Sequence, residues 1–362
     1  MNEQNITFFA NGANFMYLLC VGIAVLKSGK LTRMRTILGV ISIYFAIWTF
    51  KDIFFCFASD GPERFNEFIF LLDGWSAVAY AAYLIELSSP KWVTVKKTII
   101  VLIPFFAFMV AYFLSPSWLL FHIYTIFLIL FSLVIVTVSM TRSLRYLKYI
   151  RNTYSNIDDI DISWLKYIYL WFASMQIMWV IDARWPSYTM DTVYYIFFSV
   201  GWYRVIHYSK NLQTIDIDNL SHEEDTEKIE DGSEGNSHRY LFAGRLENLI
   251  IGQELYKKVD LTLYDLTRVV NTNRTYISEY FKNVLNTTFY DYINQLRIEK
   301  AAVPLLDEND SLTIEAIANM SGFNSVSTFR RAFVKYMDMT PSQYRAEHCG
   351  LFVCDTDYQE EA

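Results

Sequence analysis

Residues 311–345 read SLTIEAIANMSGFNSVSTFRRAFVKYMDMTPSQYR, and their apolar spacing decides the architecture of the C-terminal third of the chain. Ile314, Ile317 and Ala318 recur at the three- and four-residue intervals that line one face of a helix. Gly322 supplies a turn position at which a side chain would be strained. Asn324 or Ser325 is placed to cap a second helix, which buries Phe329 and Phe333 and leaves Arg330, Arg331 and Lys335 outside. Thr340-Pro341 opens a further helix, a cap followed by proline at the first helical position, where its missing amide is not needed. Two short helices about a tight turn, joined by an apolar seam, form the unit that places its second member in the major groove of DNA. Taken alone, the pattern also occurs in helical proteins that never touch DNA.

Upstream, the same unit occurs again. Residues 261–285, LTLYDLTRVVNTNRTYISEYFKNVL, give two helices about the break Asn271-Thr272-Asn273. Thr262 with Asp265 three residues on fits a capping box, each side chain satisfying an amide of the first turn. Leu266, Val269 and Val270 form the buried stripe, and Asn273 caps the next helix, which buries Ile277, Phe281 and Leu285. Between the two units, residues 288–301 (TFYDYINQLRIEKA) read as a longer connecting helix.

With two such units in tandem, the chain resembles the AraC family of bacterial transcription regulators. The resemblance is carried by Ile317-Ala318, Gly322-Phe323, Ser325, Phe329, Arg331, Phe333, Thr340-Pro341 and Tyr344-Arg345, in family order and spacing. Leu266, Ile277, Phe281-Lys282 and Leu296-Arg297 carry it less tightly in the first unit. It covers about 110 residues, 240–347, and departs from the family at Asp338, where glycine is usual, and at Glu279, where a basic residue often stands.

The resemblance implies two recognition helices, 274–282 and 326–335, entering successive major-groove segments on one face of double-stranded promoter DNA. By motif position, base contacts would fall to Thr275, Ser278 and Glu279 in the first and to Val326, Ser327 and Arg331 in the second. The Arg331 fork suits guanine, and Glu279 can accept from cytosine N4. Arg274, Lys282, Arg330 and Lys335 are better suited to phosphates, which position without specifying. A solvated surface charge is the alternative for each basic residue. RNA polymerase and a second copy of the chain are the further protein partners expected, since joining two readers raises effective concentration.

N-terminal to this domain, residues 211–238 contain DIDNLSHEEDTEKIEDGSEGNS, with nine acidic residues against one lysine between Asp216 and Glu234. So acidic and apolar-poor a stretch buries too little surface to fold alone and reads as a flexible linker. Residues 349–362 form a second acidic segment, a tail with Asp355, Asp357, Glu360 and Glu361. Much of the net charge of −7 is therefore local, and 239–348 is close to neutral.

Residues 1–210 are of another class. All nine tryptophans fall at or before Trp202, and the chain's 53% hydrophobic share averages two unlike halves. Crossing a hydrocarbon core takes about 20 apolar residues. Seven runs qualify: 6–26, 36–57, 68–85, 98–114, 118–140, 164–181 and 192–208, the third and seventh interrupted by Asp73 and Arg204. The N-terminus lacks the basic region and cleavage site of a signal peptide, so the first run is expected to stay as a span. Alternate loops hold Lys27, Lys30, Arg33, Arg35, Lys91, Lys96, Lys97, Arg142, Arg145, Lys148 and Arg151, eleven positive charges; the opposite set holds Arg64 and Arg184. Positive loops stay inside. The expected topology is therefore multi-pass in a bacterial inner membrane, N-terminus outside, with the C-terminal domain in the cytoplasm. The fold class expected for the whole is all-α: a seven-helix transmembrane bundle, then two helix-turn-helix units joined by a long helix.

Ionisable groups at membrane depth are costly, so each is a candidate site residue. Asp52, Asp73, His122, Asp182 and Asp191 all fall toward the outer third of their spans, with Trp48, Trp75 and Tyr80 nearby in sequence. They are expected to form an outward pocket for a small-molecule or peptide signal, cationic in character. Interfacial placement, or structural pairing with Lys51 and Arg184, is the alternative. Cys20, Cys56, Cys349 and Cys354 show no metal spacing. Neither a metal nor a cofactor is expected. An enzyme is not expected, because serine-histidine, HExxH, P-loop and paired-carboxylate motifs are missing. A transporter or receptor that uses the C-terminal domain as a protein-interaction or regulatory module is the competing possibility; no internal repeat of the transporter kind supports it.

Overall fold

A computed structural model describes residues 3–28, 32–57, 63–185, 187–209, 212, 240–306 and 312–349. The acidic linker apart from Leu212 and the tail beyond residue 349, with Arg64, Arg184, Cys56 and Cys349 as side chains, lie outside the described residues. The described chain is helical, and its one extended feature is an isolated antiparallel bridge between Tyr154 and Thr262. Two compact units result: Met1–Tyr146 with Asp159–Glu224, and Leu147–Asp158 with Asp225–Ala362.

The first unit contains α1 (Glu3–Lys27), α2 (Arg33–Phe57), α3 (Glu63–Asp73), α4 (Ser76–Ser88), α5 (Val95–Leu114), most of α6 (Trp118–Thr153), α7 (Leu165–Arg184) and α8 (Tyr188–Ser209). Polarity is inverted relative to a water-soluble bundle. In α1 the buried stripe is Thr7, Asn11, Asn14, Leu18 and Gly22, while Phe9, Met16 and Ile23 are exposed. On α5 and α6 the outer faces carry Ile99, Ile103, Phe106, Phe113, Ile126, Leu130 and Leu133. An amphipathic helix in water has the opposite arrangement. Several inward polar groups are paired between helices: Thr7 with Thr192 at 2.8 Å, Ser199 Oγ donating to Asn14 Oδ1 at 2.7 Å, and Trp202 Nε1 donating to Ser42 Oγ at 2.9 Å. Such pairing is what an environment without water demands.

Among the described residues, five stretches are long and apolar enough to cross a membrane: Glu3–Lys27, Arg33–Asp52, Glu67–Ser88, Val95–Leu114 and Trp118–Thr153. Helices α7 and α8 have the length, 20 and 22 residues, but lie outside those five. The run 68–85, expected as one helix, is two, broken at Gly74-Trp75. A Cβ on Gly74 would lie 2.0 Å from the Tyr124 hydroxyl oxygen, which donates to the Leu71 carbonyl at 2.7 Å. Tyr124 thus fills the space a side chain would need, at the point where α3 ends.

The second unit takes in the end of α6 and, past residue 240, α9 (Ala243–Glu247), followed by a π turn over Asn248–Gly252. Then come α10 (Leu263–Val270), α11 (Arg274–Asn283), α12 (Phe289–Leu305), α13 (Ile314–Met320), α14 (Val326–Met337) and α15 (Pro341–Cys349). Two hydrophobic cores are built on α12. Phe289, Ile293 and Leu296 join Leu266, Val270, Ile277 and Phe281 in one; Ile298, Ala301 and Leu305 join Ile317, Ala318, Phe329 and Phe333 in the other. The connecting helix outruns its expected end at Ala301 and passes through Pro304. Proline in a last turn forfeits one helical hydrogen bond, and burying Leu305 outweighs that loss.

Local signals match local geometry except at Val269, expected in the buried stripe but 49% exposed, Leu263 taking its place in the core. Thr262 and Asp265 form the reciprocal capping box, and Thr288, Thr313 and Ser325 cap the helices that follow them. Asp338, where the family prefers glycine, takes φ 58°, a left-handed position aspartate tolerates better than most residues. Gly322 has φ +86°, and a Cβ there would lie 2.7 Å from the Lys257 carbonyl oxygen. Backbone cannot swing aside as a side chain can. Gly322→Ala is therefore expected to destabilise the second unit by about 2–3 kcal/mol, left-handed strain plus the clash. Hydrogen exchange at the α12 amides under denaturant measures it, and a loss below about 0.5 kcal/mol would contradict the geometry.

Candidate nucleic-acid interface

Helix α11 begins where Asn273 Oδ1 accepts from the Tyr276 amide at 2.9 Å. Its buried face holds Ile277 and Phe281. Thr275, Ser278, Glu279 and Lys282 recur at offsets of three, four and seven, so they share the other face. Thr275 and Lys282 are exposed, and Ser278 and Glu279 half-buried. Helix α14 is built alike. Ser325 Oγ accepts from the Thr328 amide at 3.2 Å, Phe329 and Phe333 are buried, and Ser327, Arg330, Arg331 and Lys335 are exposed with Val326 half-buried beside them. Each helix thus has one face committed to a core that α12 shares and one face presenting the polar residues picked out in the sequence.

Three basic candidates have partners within the unit. Lys335 Nζ meets Asp291 Oδ1 of α12 at 2.5 Å, and the Tyr336 hydroxyl donates to the same oxygen at 3.1 Å. Burial works to raise the Asp291 carboxyl, but Lys335, Thr288 and Tyr336 outweigh it and hold it below the usual carboxylate range. Lys335 therefore fastens α14 to α12. Arg274 Nη2 donates to Thr153 Oγ1 at 2.9 Å, and its guanidinium lies 4.5 Å from the Tyr149 ring centroid. Arg331 Nη2 lies 3.5 Å from Asp158 Oδ1 while its side chain stays 72% exposed. Tyr149, Thr153 and Asp158 were not singled out in the sequence, although three carboxylates, Asp158, Asp159 and Asp161, follow directly on the basic stretch ending at Arg151.

Below this face lies Arg297, also on α12 and 1% exposed. Its guanidinium donates to the carbonyls of Tyr256 and Lys258, both at 2.7 Å, and to Asn294 Oδ1 and Ser155 Oγ, both at 3.2 Å. Burial pushes it down to about 10, still charged at neutral pH. It ties the loop before α10 and residue 155 to the helix that both cores share.

In the first unit, the ionisable candidates divide. Lys51 pairs with Asp52 and lies 2.7 Å from Asp73 Oδ1, and the Tyr195 hydroxyl donates to Asp52 Oδ2 at 3.0 Å. Asp182 and Asp191 interact with each other. Trp48 stacks on Tyr44 and Trp75, with centroids 5.2 and 6.4 Å apart. One ammonium among four carboxylates leaves this aromatic-walled cluster acidic. His122 instead bonds within its own helix, to the Trp118 carbonyl at 2.9 Å.

Comparison with known proteins places the likeness at the C-terminus. A family model described as a helix-turn-helix domain matches residues 266–347, less than a quarter of the chain. Over 84 residues the chain is 37% identical to the raffinose operon transcriptional regulatory protein RafR of Pediococcus pentosaceus, covering 23% of this chain and 30% of that protein. Over 109 residues it is 33% identical to an uncharacterized HTH-type transcriptional regulator of Staphylococcus aureus, covering 30% of this chain and 14% of that one. This chain thus spans well under half the length of these relatives. Among solved structures, the C-terminal domain of the two-component response regulator yesN of Fusobacterium nucleatum is 35% identical; the match covers 28% of this chain and 96% of that domain, with a TM-score of 0.26.

Proposed function

Because the C-terminal segment of this chain is an AraC-type double helix-turn-helix domain, we propose that the whole is a membrane-rooted transcription regulator that binds promoter DNA through α11 and α14. Seven spans, α3 and α4 together making the third, hold the N-terminus outside and return the C-terminal unit to the cytoplasm, the orientation favoured by eleven basic residues against two. The inverted polarity of α1, α5 and α6 supports lipid contact. Thr275, Ser278 and Glu279 of α11 and Val326, Ser327 and Arg331 of α14 read base edges; Arg274, Lys282 and Arg330 meet phosphates. The observation that carries the DNA half is the shared helix α12, which fixes two capped helices with their polar faces outward.

The acidic cluster of Asp52, Asp73, Asp182 and Asp191 receives a cationic signal, and Lys51 occupies it when no signal is bound. RNA polymerase and a second copy of the chain act with it at the promoter. Asp52→Asn and Asp73→Asn test the sensing half. Each should abolish the response of a reporter placed under the promoter while membrane level and DNA affinity stay normal. A normal response in both variants would remove the cluster from signalling.

A further inference from the structure

Residues Leu147–Asp158 belong to the C-terminal unit although the first seven of them are the basic last turns of an otherwise apolar helix. They reach both recognition helices. Near the start of the segment, Tyr149 lies under the Arg274 guanidinium, and Thr153 Oγ1 accepts from it at 2.9 Å. At its end, the Asp158 carboxylate accepts from Thr328 Oγ1 at 2.6 and 2.7 Å and lies 3.5 Å from both Ser325 Oγ and Arg331 Nη2. Ser325 is the N-cap of α14, so the carboxylate sits at the positive end of a 12-residue helix, among hydroxyls and a guanidinium. That is the company a DNA phosphate keeps when it binds a helix N-terminus.

We propose that Leu147–Asp158 is an internal competitor of DNA, its Asp158 carboxylate occupying the place of a backbone phosphate at α14 while Tyr149 and Thr153 hold Arg274 at α11. This rests on the assignment of α11 and α14 as the DNA-reading helices. A duplex seated on both helices has to displace the segment, because a phosphate and a carboxylate cannot share one helix terminus, and each would repel the other. Helix α6 runs unbroken from Trp118 to Thr153, so the competitor is the continuation of an apolar span. A signal that shifts α6 therefore changes how often the face is free, in the sense of a population shift: bound DNA and seated segment are two states of the same surface.

The test uses the full chain in nanodiscs and a duplex that it selects from a random library. Asp158→Asn and Asp158→Ala should each bind about ten-fold more tightly, about 1.4 kcal/mol by conversion. Asp159→Asn, an equal charge change one residue along, should bind as the unaltered chain does. In the unaltered chain, saturating duplex should increase hydrogen exchange at the Ser155 amide, which bonds the Leu261 carbonyl at 3.0 Å. Unchanged affinity in both Asp158 variants would overturn the competition while leaving DNA binding intact. An equal gain in all three variants would reduce it to general charge repulsion and overturn it too. Failure of every chain to select a duplex would instead remove the DNA-binding premise, and the competitor with it.

Discussion

Arg297→Leu is expected to cost the C-terminal unit about 3–5 kcal/mol, because it removes the buried donor on which several buried acceptors depend. Leucine matches the aliphatic part of the side chain, so the packing loss is confined to the space of the guanidinium. The Tyr256 carbonyl loses a donor at 2.7 Å, the Lys258 carbonyl keeps only the Leu261 amide at 3.2 Å, and an unsatisfied buried acceptor costs about 1–3 kcal/mol. Lysine rescues little. Its ammonium keeps the charge but lacks the planar fork that reaches Tyr256, Lys258, Ser155 and Asn294 together. The domain total lies at about 5–15 kcal/mol, so such a loss leaves a large unfolded fraction. Hydrogen exchange at the α12 amides in the full chain reads it out. Protection within about 0.5 kcal/mol of the unaltered chain would show that the six-acceptor cage contributes no net stability. A fragment beginning at residue 239 lacks Ser155, one of the cage's members, which is why the full chain is used throughout.

Arg331→Ala is expected to weaken binding to the selected duplex by about 1–3 kcal/mol and to relax discrimination at one base-pair position. Its exposure leaves the guanidinium free to turn into a groove, since the ion pair with Asp158 at 3.5 Å is loose and a largely exposed pair contributes about 0–1 kcal/mol. The same pairing makes the effect depend on background. In the Asp158→Asn chain the full loss appears, whereas in the unaltered chain freeing Asp158 from Arg331 offsets part of it. Arg330→Ala makes the contrast: a loss about equal on every sequence, with the salt slope reduced by about 1. Titration against duplexes substituted one position at a time separates them. A uniform loss for Arg331→Ala would make it a phosphate anchor.

The parts legible in the sequence are those set by local chemistry. Thr262 with Asp265, Asn273 and Ser325 announced helix starts because a cap acts within three residues. Apolar periodicity marked Ile277, Phe281, Phe329 and Phe333 as core, and left polar residues on the faces opposite them. Long apolar runs outlined the first unit. Tertiary effects were less visible. The break at Gly74 depends on Tyr124, fifty residues away, filling the space of a side chain. The extension of α12 past Pro304 depends on the burial of Leu305 in a core assembled from three other helices.

Within the candidate site, residue type found the basic side chains but not their partners. Lys335 looked like any exposed cation until Asp291 was seen 2.5 Å away. Arg297 followed from motif resemblance, yet its carbonyl acceptors carry no side-chain signature. Asp158 was the furthest from reach: it lies 170 residues from Thr328 and, in sequence, belongs to a loop between apolar helices. A reversal of charge within one short loop, from Arg151 to Asp158, was the only trace of it. His122 shows the converse, a residue grouped with the carboxylates by depth alone whose bond is to its own helix.

The most direct measurement is the affinity of the full chain in nanodiscs for its selected duplex as a function of salt. A reader that meets phosphates through Arg274, Lys282 and Arg330 should bind at submicromolar concentration, with log affinity falling linearly in log salt at a slope of about −3 or steeper. Binding without salt dependence, or none below about 100 μM, the non-specific limit, would contradict the account.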